Sequence, residues 1–488
     1  MDMKRCVKYL PIFAVVFLVC FHGAEASQAQ EHHERYKRVD TLFADWDRTT
    51  SPGCALAIVQ DGKIIYKRGY GMANLDHDIP IRPNTVFRIG SISKQFTAAS
   101  ILILNERGKL SLDDNIRKYL HEMPEYKWPI TIRHLIHHTS GIRDYESLQY
   151  LSGEHDDQGE HHNDDIMELV ARQKVLNFRP GDQYLYSNSG YTLLAVIVER
   201  VCGRSIGQFV KDNIFIPLGM HSTFIYENNR AVVKNRATGY CRVDGHFFVD
   251  ETLNESTGDG GVFTTVEDFY LWDQNFYDNK IDCPDFIQKM TQIGKLNNGA
   301  NAGIQSGSIN SGYAFGLSLS AYRGLRTLGH GGAYVGFRAR FMQFPDHKFS
   351  IICLANLASI NPTQLCHKIA DIFLDKYFTE APKGIRQLET EKQQGSDYNP
   401  SLKQLADYAG DYSSDELMVK YILRNDKGGL IFAQKNPPTI KPLQAASEDI
   451  FAFEDYILKF QRDSKGKITG FFIDEKRSKN IFFKKIHH

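Results

Sequence analysis

The chain has 488 residues, a length that exceeds one small domain and indicates two or three. Hydrophobic residues make up 42% and charged residues 24% of it, as in an ordinary globular protein. The 58 lysines and arginines are balanced by 58 aspartates and glutamates, so the net charge predicts neither a nucleic-acid partner nor a broad electrostatic attraction to membranes.

The first 26 residues have the pattern of a secretory signal. A basic lead at residues 4–8 precedes the apolar run 9–21, and a small-x-small pattern follows at 24–26. An uncleaved anchor is the alternative, but a run of about 13 residues is shorter than the roughly 20 that a spanning helix needs. We therefore predict cleavage before Ser27, a periplasmic or secreted location, and no stable membrane span in the mature chain.

The first strands of a sheet follow the signal. Residues 54–60 and 63–71 are apolar stretches joined by Asp61-Gly62, which is a strong signal for a β-hairpin. Six cysteines lie outside the signal, and in an exported protein they permit disulfides without requiring them. Those in apolar runs are predicted to be small buried hydrophobic residues, and no cysteine spacing predicts a metal site.

The stretch 87–104 carries the first chemical motif. Ser91 and Lys94 are three residues apart at the opening of an apolar helix, so their side chains share one face of its first turn. A serine hydroxyl needs a neighbouring base, and the helix N-terminus favours negative charge where an oxyanion forms. Gly90 permits close approach of the backbone to a substrate. This spacing predicts a nucleophile beside its base.

Short helices and turns follow, and they predict the start of an all-helical insertion. His137 and His138 are adjacent, so at most one of them faces any given site, and we predict packing or hydrogen-bonding roles for both. The tract 153–165 is rich in His, Asp and Glu. Its polarity and its lack of an apolar face predict a solvated loop rather than a metal site.

The second motif lies in a turn before an apolar helix that Gly203 closes. Tyr186 in this turn is a candidate to accept the serine proton and pass it to a leaving group, provided that Lys94 lowers the pKa of its phenol. Asn188 is a candidate to orient both Lys94 and the substrate carbonyl.

The third motif is His330-Gly331-Gly332, on a predicted strand edge. Glycines let the backbone approach a ligand, and the amides of Ser91 and Ala333 are predicted to form a two-donor oxyanion hole. We predict two returning strands of the sheet on either side of residues 345–347. A helix over 361–378 is predicted to pack on this sheet.

Together, Ser91-x-x-Lys94, Tyr186-x-Asn188 and His330-x-Gly332 resemble the motifs of the penicillin-recognising serine hydrolases. The likeness is to the branch that includes class C β-lactamases, low-molecular-weight penicillin-binding proteins and D-aminopeptidases, and it covers roughly residues 40–380. It implies an α/β fold, namely an α/β/α sandwich with an antiparallel sheet and a helical subdomain. It also implies that Ser91, Lys94 and Tyr186 are catalytic, that Asn188, His330 and Gly332 bind substrate, and that no metal or other cofactor is needed.

One position departs from the resemblance. Members of the group commonly carry lysine where this chain has His330, and an ordinary imidazole is a weaker anchor for a substrate carboxylate at neutral pH. This weakens the case for a true β-lactamase. It also predicts better turnover of carboxylate-bearing substrates at mildly acidic pH. Arg338 and Arg340 are candidates to replace the missing charge.

The polar stretch 383–400 predicts a linker between a hydrolase domain over 27–382 and a C-terminal domain over 401–488. The latter shows short alternating strands with turn signals, which predict antiparallel β structure. Its resemblance to domains that follow some of these hydrolases implies a small lipocalin-like barrel. Such a barrel is a candidate for narrowing the cleft, binding a partner or mediating self-association.

The predicted function is acyl transfer by an exported serine hydrolase through an acyl-enzyme on Ser91. The preferred substrates are peptides of D-alanine or other D-amino acids, cleaved as by a carboxypeptidase or aminopeptidase. Carboxylesterase or β-lactamase activity is one alternative. A sensor that is slowly acylated by penicillins or muropeptides and never turns over is another, and a non-catalytic scaffold is a third that the intact motifs disfavour.

Overall fold

The computed structural model describes residues 32–154, 159–303, 311–381, 400–426, 428–434 and 439–486, together with residues 30 and 398. The predicted signal, residues 1–26, lies outside the described residues, and so does the predicted linker apart from residues 398 and 400. In the described part of the chain, no helix combines the length and the apolarity that a membrane crossing requires.

The larger, N-terminal part of the described chain is built around a seven-stranded sheet in which all neighbouring strands are antiparallel. In sheet order its strands are β10 (Gly312–Tyr313), β11 (Ser318–Tyr322), β12 (Leu325–Tyr334), β13 (Phe337–Phe344), β14 (Phe349–Ala355), β1 (Cys54–Gln60) and β2 (Lys63–Tyr70). The predicted hairpin is confirmed, because Gln60 pairs with Lys63 and both turn residues have positive φ, as the tightest hairpin turns require.

Both faces of this sheet are buried, and this makes the sandwich. Along β1, Ala55, Ala57 and Val59 belong to one core and the alternating residues Cys54, Leu56 and Ile58 to the other, as the period of a strand dictates. Helix α1, described over residues 32–42, and α11 (Pro362–Phe373) cover the second face. The first face packs against the remaining helices, so the predicted α/β/α architecture is confirmed.

The helical region between β2 and β10 positions the motifs. Its helices are α2 (Lys94–Glu106), α3 (Ile132–Ile136), α4 (Tyr145–Ser152), α5 (Asn163–Ala171), α6 (Asn188–Cys202), α7 (Ile206–Val210), α8 (Ile216–Leu218), α9 (Val266–Gln274) and α10 (Phe286–Met290). It also holds the short strands β3 (Met72–Asn74), β4 (Ile79–Pro80), β5 (Phe87–Arg88), β6 (Phe224–Ile225), β7 (Tyr240–Val243), β8 (His246–Val249) and β9 (Val262–Thr264). The prediction of an all-helical insertion was therefore wrong, because β5, β9 and β6 form a small sheet of their own.

The C-terminal part is a closed eight-stranded antiparallel barrel preceded by α12 (Leu402–Tyr408). Its strands are β15 (Gly410–Ser414), β16 (Val419–Asp426), β17 (Gly429–Gln434), β18 (Thr439–Ser447), β19 (Ile450–Phe453), β20 (Tyr456–Arg462), β21 (Ile468–Asp474) and β22 (Ile481–Ile486). Buried aromatic rings fill it, including Tyr421, Phe471 and Phe483 with ring centroids 4.4 to 5.0 Å apart. The predicted barrel is confirmed, and at eight strands its interior is packed with side chains.

The six cysteines outside the signal have free thiols. Cys54, Cys353 and Cys366 are fully buried in the apolar core beside α11. They act as small hydrophobic residues there, as predicted from the runs in which they occur.

Candidate active site

A tight turn presents Ser91 at the opening of α2. Strand β5 leads into a 3₁₀ turn, Gly90–Ser93, and α2 begins at Lys94. Gly90 has a φ of +51°, and a Cβ there would lie 2.8 Å from the amide nitrogen of Ala333. Glycine is therefore required both by the backbone conformation and by the approach of β12. Ser91 is half-buried and Lys94 is fully buried.

Lys94 is held by three acceptors. Its Nζ donates to Ser91 Oγ at 3.1 Å, to Asn188 Oδ1 at 2.8 Å and to the carbonyl oxygen of Asp259 at 2.8 Å. These acceptors match the three N–H donors of an ammonium group. Burial lowers the pKa of Lys94 to about 8, although the carboxylates of Asp259, Glu146 and Asp144 oppose the shift. Lys94 is thus within hydrogen-bonding distance of Ser91 and has a substantial neutral fraction near physiological pH.

Tyr186 lies beside this pair. Its ring centroid is 4.9 Å from Lys94 Nζ and 4.2 Å from the centroid of the His138 ring. The hydroxyl is buried beside Ser91 without a hydrogen bond of ordinary geometry. Burial raises the pKa of Tyr186 well above its usual value, and the neighbouring Ser91 only partly offsets this. The expectation that the pKa of this phenol is lowered was wrong, because the loss of water on burial outweighs the influences that lower it.

Asn188 is the first residue of α6. Ser187 caps this helix by accepting the amide N–H of Gly190, and the backbone N–H of Asn188 donates to Asp144 Oδ2 at 2.5 Å. The side chain is buried, and its Oδ1 accepts from Lys94. The predicted orientation of Lys94 by Asn188 is therefore present in the structure.

Strand β12 passes directly behind the turn that carries Ser91. A Cβ at Gly332 would overlap the carbonyl oxygen of Ile89, and Ala333 lies against Gly90. The third motif needs glycine at position 332 because two backbones meet there. The amides of Ser91 and Ala333, proposed from the sequence as an oxyanion hole, lie on these two adjoining segments.

His330 is buried in this strand. Its Nε2 accepts from the Tyr313 hydroxyl at 3.1 Å, and its Nδ1–H donates to the carbonyl oxygen of Gly331 at 2.5 Å. Burial lowers the pKa of His330 to about 3, so the imidazole is neutral at mildly acidic pH. The basis for the expected preference for acidic pH is thereby removed.

Of the two arginines that were candidates to replace the missing lysine charge, Arg338 lines a cavity together with Ala333, whereas Arg340 faces away from the site. Arg338 donates to the carbonyl oxygens of Val335 and Phe337, both at 2.7 Å. Arg340 lies near Cys366, on the sheet face covered by α11. Alternation along β13 therefore carries this guanidinium away from His330 and Ser91.

Several residues of the site were not predicted from the sequence. Asp259 is buried, accepts from the Tyr145 hydroxyl at 3.0 Å and offers its carbonyl oxygen to Lys94. Asp144 holds the amide of Asn188. The only sequence signal for Asp259 was its place in a glycine-rich stretch before α9, and Asp144 carried none.

The adjacent histidines are buried, in line with the packing and hydrogen-bonding roles predicted for them. His138 has a φ of +56°, and its Nδ1 accepts the backbone N–H of Ser187 at 3.1 Å. The Nδ1 of His137 lies 3.2 Å from the carbonyl oxygen of Tyr313. His138 therefore holds the loop that carries Tyr186. No group of three His, Cys, Asp or Glu side chains suited to a metal ion occurs among the residues that the structure describes.

Comparison with known proteins gives a consistent result. The family profile described as Beta-lactamase matches residues 39–367. The chain is 31% identical over 342 residues to penicillin-binding protein 4* of Bacillus subtilis, covering 66% of this chain and 71% of that protein. It is 30% identical over 307 residues to a D-aminopeptidase of Brucella anthropi, covering 62% of this chain and 56% of that enzyme's length.

A solved structure is similar over both parts of the molecule. The octameric penicillin-binding protein homologue from Pyrococcus abyssi superposes with a TM-score of 0.60 at 23% identity. The match covers 95% of this chain and 100% of that chain. At this identity the likeness concerns the fold.

Proposed function

The chain belongs to the beta-lactamase family and is a serine hydrolase of the penicillin-recognising group, and from this premise we propose that it hydrolyses amide bonds of D-amino-acid peptides through an acyl-enzyme on Ser91. The observation that carries the proposal is the 3.1 Å contact between Lys94 Nζ and Ser91 Oγ, with Tyr186 beside it. The similarity to D-aminopeptidases supports the choice of substrate.

The geometry suits a two-step acyl transfer. Neutral Lys94 takes the proton of Ser91 while the serine oxygen bonds to the substrate carbonyl carbon. The carbonyl electron pair moves onto its oxygen, which accepts from the amides of Ser91 and Ala333. As this intermediate collapses, the bond to the amine breaks and the amine takes up a proton. Water then attacks the acyl-enzyme by the reverse sequence and releases the acid.

Tyr186 fits the role of proton donor in this scheme. Because its pKa is raised, its phenol stays protonated at neutral pH and can donate to the departing amine, with Lys94 replenishing the proton. Asn188 keeps the amine of Lys94 on Ser91 throughout.

The state of His330 bears on the substrate. A neutral imidazole supplies no positive charge to a substrate carboxylate, which favours aminopeptidase or amidase substrates over the carboxylates of β-lactams and of carboxypeptidase substrates. The same observation keeps a carboxylesterase as the second candidate, since simple esters need no such anchor.

The location is proposed from the sequence. The basic lead and the apolar run within residues 1–26 support export to the periplasm or the medium. Self-association through the C-terminal domain is likewise a proposal, supported by the octameric state named for the homologue from Pyrococcus abyssi.

Intact-mass detection of acylation, combined with turnover assays, tests the proposal. We expect multiple turnovers of D-alanine p-nitroanilide and of a p-nitrophenyl ester, with the L-alanine compound cleaved more slowly. Ser91→Ala should abolish labelling and turnover. Ser100→Ala should retain both, because this hydroxyl only bonds the carbonyl oxygen of Phe96 within α2.

Two outcomes would contradict the proposal. Labelling by penicillins without release would identify a sensor, and turnover that persists in Ser91→Ala would remove the acyl-enzyme from the mechanism.

A further inference from the structure

The barrel reaches the residues behind the active site. Its loop between β21 and β22, residues 475–480, lies against residues 143–147 of the hydrolase part. Arg143 donates to the carbonyl oxygens of Lys479 (2.9 Å) and Asn480 (2.7 Å). The Asp144 amide donates to Ser478 Oγ (3.1 Å), and Ser147 Oγ donates to Glu475 (2.5 Å). Arg477 forms ion pairs with Asp144 (3.4 Å) and Glu146 (2.7 Å). This loop therefore holds the segment from which Asp144 projects.

Asp144 is a fully buried carboxylate, and among the described residues Arg477 is the cation that forms an ion pair with it. Its Oδ2 accepts the backbone N–H of Asn188, and its Oδ1 makes no hydrogen bond but lies 3.4 Å from Arg477 Nη1. A buried charge is costly unless an opposite charge compensates it. Burial raises the pKa of Asp144 to about 7, and Arg477 is the largest influence that opposes this rise.

A continuous set of contacts connects this pair to the nucleophile. Arg477 faces Asp144, Asp144 holds Asn188, Asn188 accepts from Lys94 at 2.8 Å, and Lys94 donates to Ser91 at 3.1 Å. Asp144, Asn188 and Lys94 are buried, whereas the side chain of Arg477 is 31% exposed. Arg477, which the barrel contributes to this set, is therefore accessible to solvent.

We propose that Arg477 is a positioning residue for catalysis: the barrel supplies the cation that keeps Asp144 ionised, so that Asp144 holds Asn188, and Asn188 holds Lys94 on Ser91. Arg477 touches none of the reacting atoms and acts through Asp144. The inference rests on the proposed function, because it assumes that Lys94 activates Ser91. It makes the barrel a working part of the active site.

The test uses the full chain and a p-nitrophenyl ester. In Arg477→Ala we expect kcat to fall about 10- to 100-fold while KM changes little, because a misplaced catalytic group slows chemistry more than binding. Arg477→Lys, which keeps a positive charge near Asp144, should recover most of the loss. Millimolar guanidinium ion should partly restore Arg477→Ala, since the site is accessible to solvent.

Two control variants distinguish the proposed positioning of Asp144 from a general loss of contact between the two parts and from a loss of stability of the barrel. Glu416→Gln weakens the buried 2.9 Å ion pair with Arg143, which joins the same two parts of the molecule but does not involve the Asp144 carboxylate. Arg462→Ala breaks a 2.8 Å arginine–aspartate pair with Asp449 inside the barrel. Both should keep kcat close to that of the unaltered protein.

A double-mutant cycle keeps the test decisive even where Arg477→Ala folds poorly. Asp144→Asn removes the buried charge, so adding Arg477→Ala to it should have little further effect on kcat or on thermal unfolding. Purely additive losses would overturn the inference.

Other results would also overturn it. These are a normal kcat in folded Arg477→Ala, a change confined to KM, or an equal loss of kcat in Glu416→Gln. A failure of the proposed function is distinguishable from all of these, because the unaltered protein would then neither become acylated nor hydrolyse the ester.

Discussion

Lys94 is the residue whose chemistry depends most on its surroundings. A lysine in water is almost entirely protonated at neutral pH and cannot act as a base. Full burial lowers the pKa of this lysine to about 8, and three acceptors hold its amine in position. Desolvation thus suits this lysine to the role of base that we propose for it, and the neighbouring carboxylates Asp259, Glu146 and Asp144 keep its pKa from falling further.

The pH profile of acylation tests this assignment. Because only the neutral amine accepts a proton, kcat/KM for a p-nitrophenyl ester should rise with pH and level off above a midpoint of about 8. Neither His330 nor Tyr186 should add a step between pH 5 and 8, since burial lowers the pKa of the first and raises that of the second. Asp144, whose pKa burial raises to about 7, should make the fall in kcat/KM steeper below pH 7, because its ionised form holds Asn188.

Lys94→Arg provides the matched variant. Its guanidinium stays charged at all accessible pH values, so the rise of kcat/KM with pH should vanish and activity should fall about 100-fold or more. The same substitution at Lys67, which pairs with Glu267 at the surface, should change neither this rise nor the rate. A rise centred near pH 6.5 would reject Lys94 as the base.

At the scale of elements, the decisive contact is that of β12 with the turn that carries Ser91. Gly332 permits the strand to touch the carbonyl oxygen of Ile89, and this places the amide of Ala333 beside Gly90. The proposed oxyanion hole therefore depends on two backbone segments meeting without a side chain between them.

Alanine substitutions at the neighbouring positions Gly331 and Gly332 test whether activity depends on this contact or only on the presence of glycine in the strand. In Gly332→Ala the new methyl group overlaps the Ile89 carbonyl, so β12 must move away from Ser91 and kcat should fall about 100-fold, as for loss of one oxyanion donor. In Gly331→Ala the nearest atom to the new methyl is 3.8 Å away, on the opposite face of the strand. That variant should keep most of its activity, and equal losses in both would contradict the role of the contact.

At the scale of the whole molecule, the barrel and the hydrolase part share a buried polar interface. Arg143 is completely buried and donates to Glu416 at 2.9 Å and to Gln173 at 2.8 Å. Tyr150 of α4 and Tyr456 of the barrel stack with their ring centroids 5.8 Å apart. The buried contacts of Arg143 predict that the two parts unfold together.

Calorimetry of Arg143→Met tests this cooperation. The substitution leaves Glu416 buried without its cation, which should cost about 3 kcal/mol and separate one broad unfolding transition into two. Arg200→Met breaks an exposed pair of similar length with Glu122 and should cost less than about 1 kcal/mol. Equal effects in the two variants would show that the interface does not couple the parts.

The features of this protein that its sequence determined are those that depend on the spacing of neighbouring residues. A serine and a lysine three residues apart at a helix start must share a face, and Asp61-Gly62 between apolar stretches must turn. The three motifs, the sandwich and the barrel follow from patterns of this kind together with the resemblance that they support.

Only the tertiary structure decided the protonation states and the supporting network. The low pKa values of Lys94 and His330 come from burial by distant elements, and no local period encodes burial of that kind. Arg477 meets Asp144 across more than 300 residues of chain, and Arg340 turns away because of its place in the strand alternation. Electrostatics of this kind depends on which groups exclude water together, and that is settled only when the chain has folded.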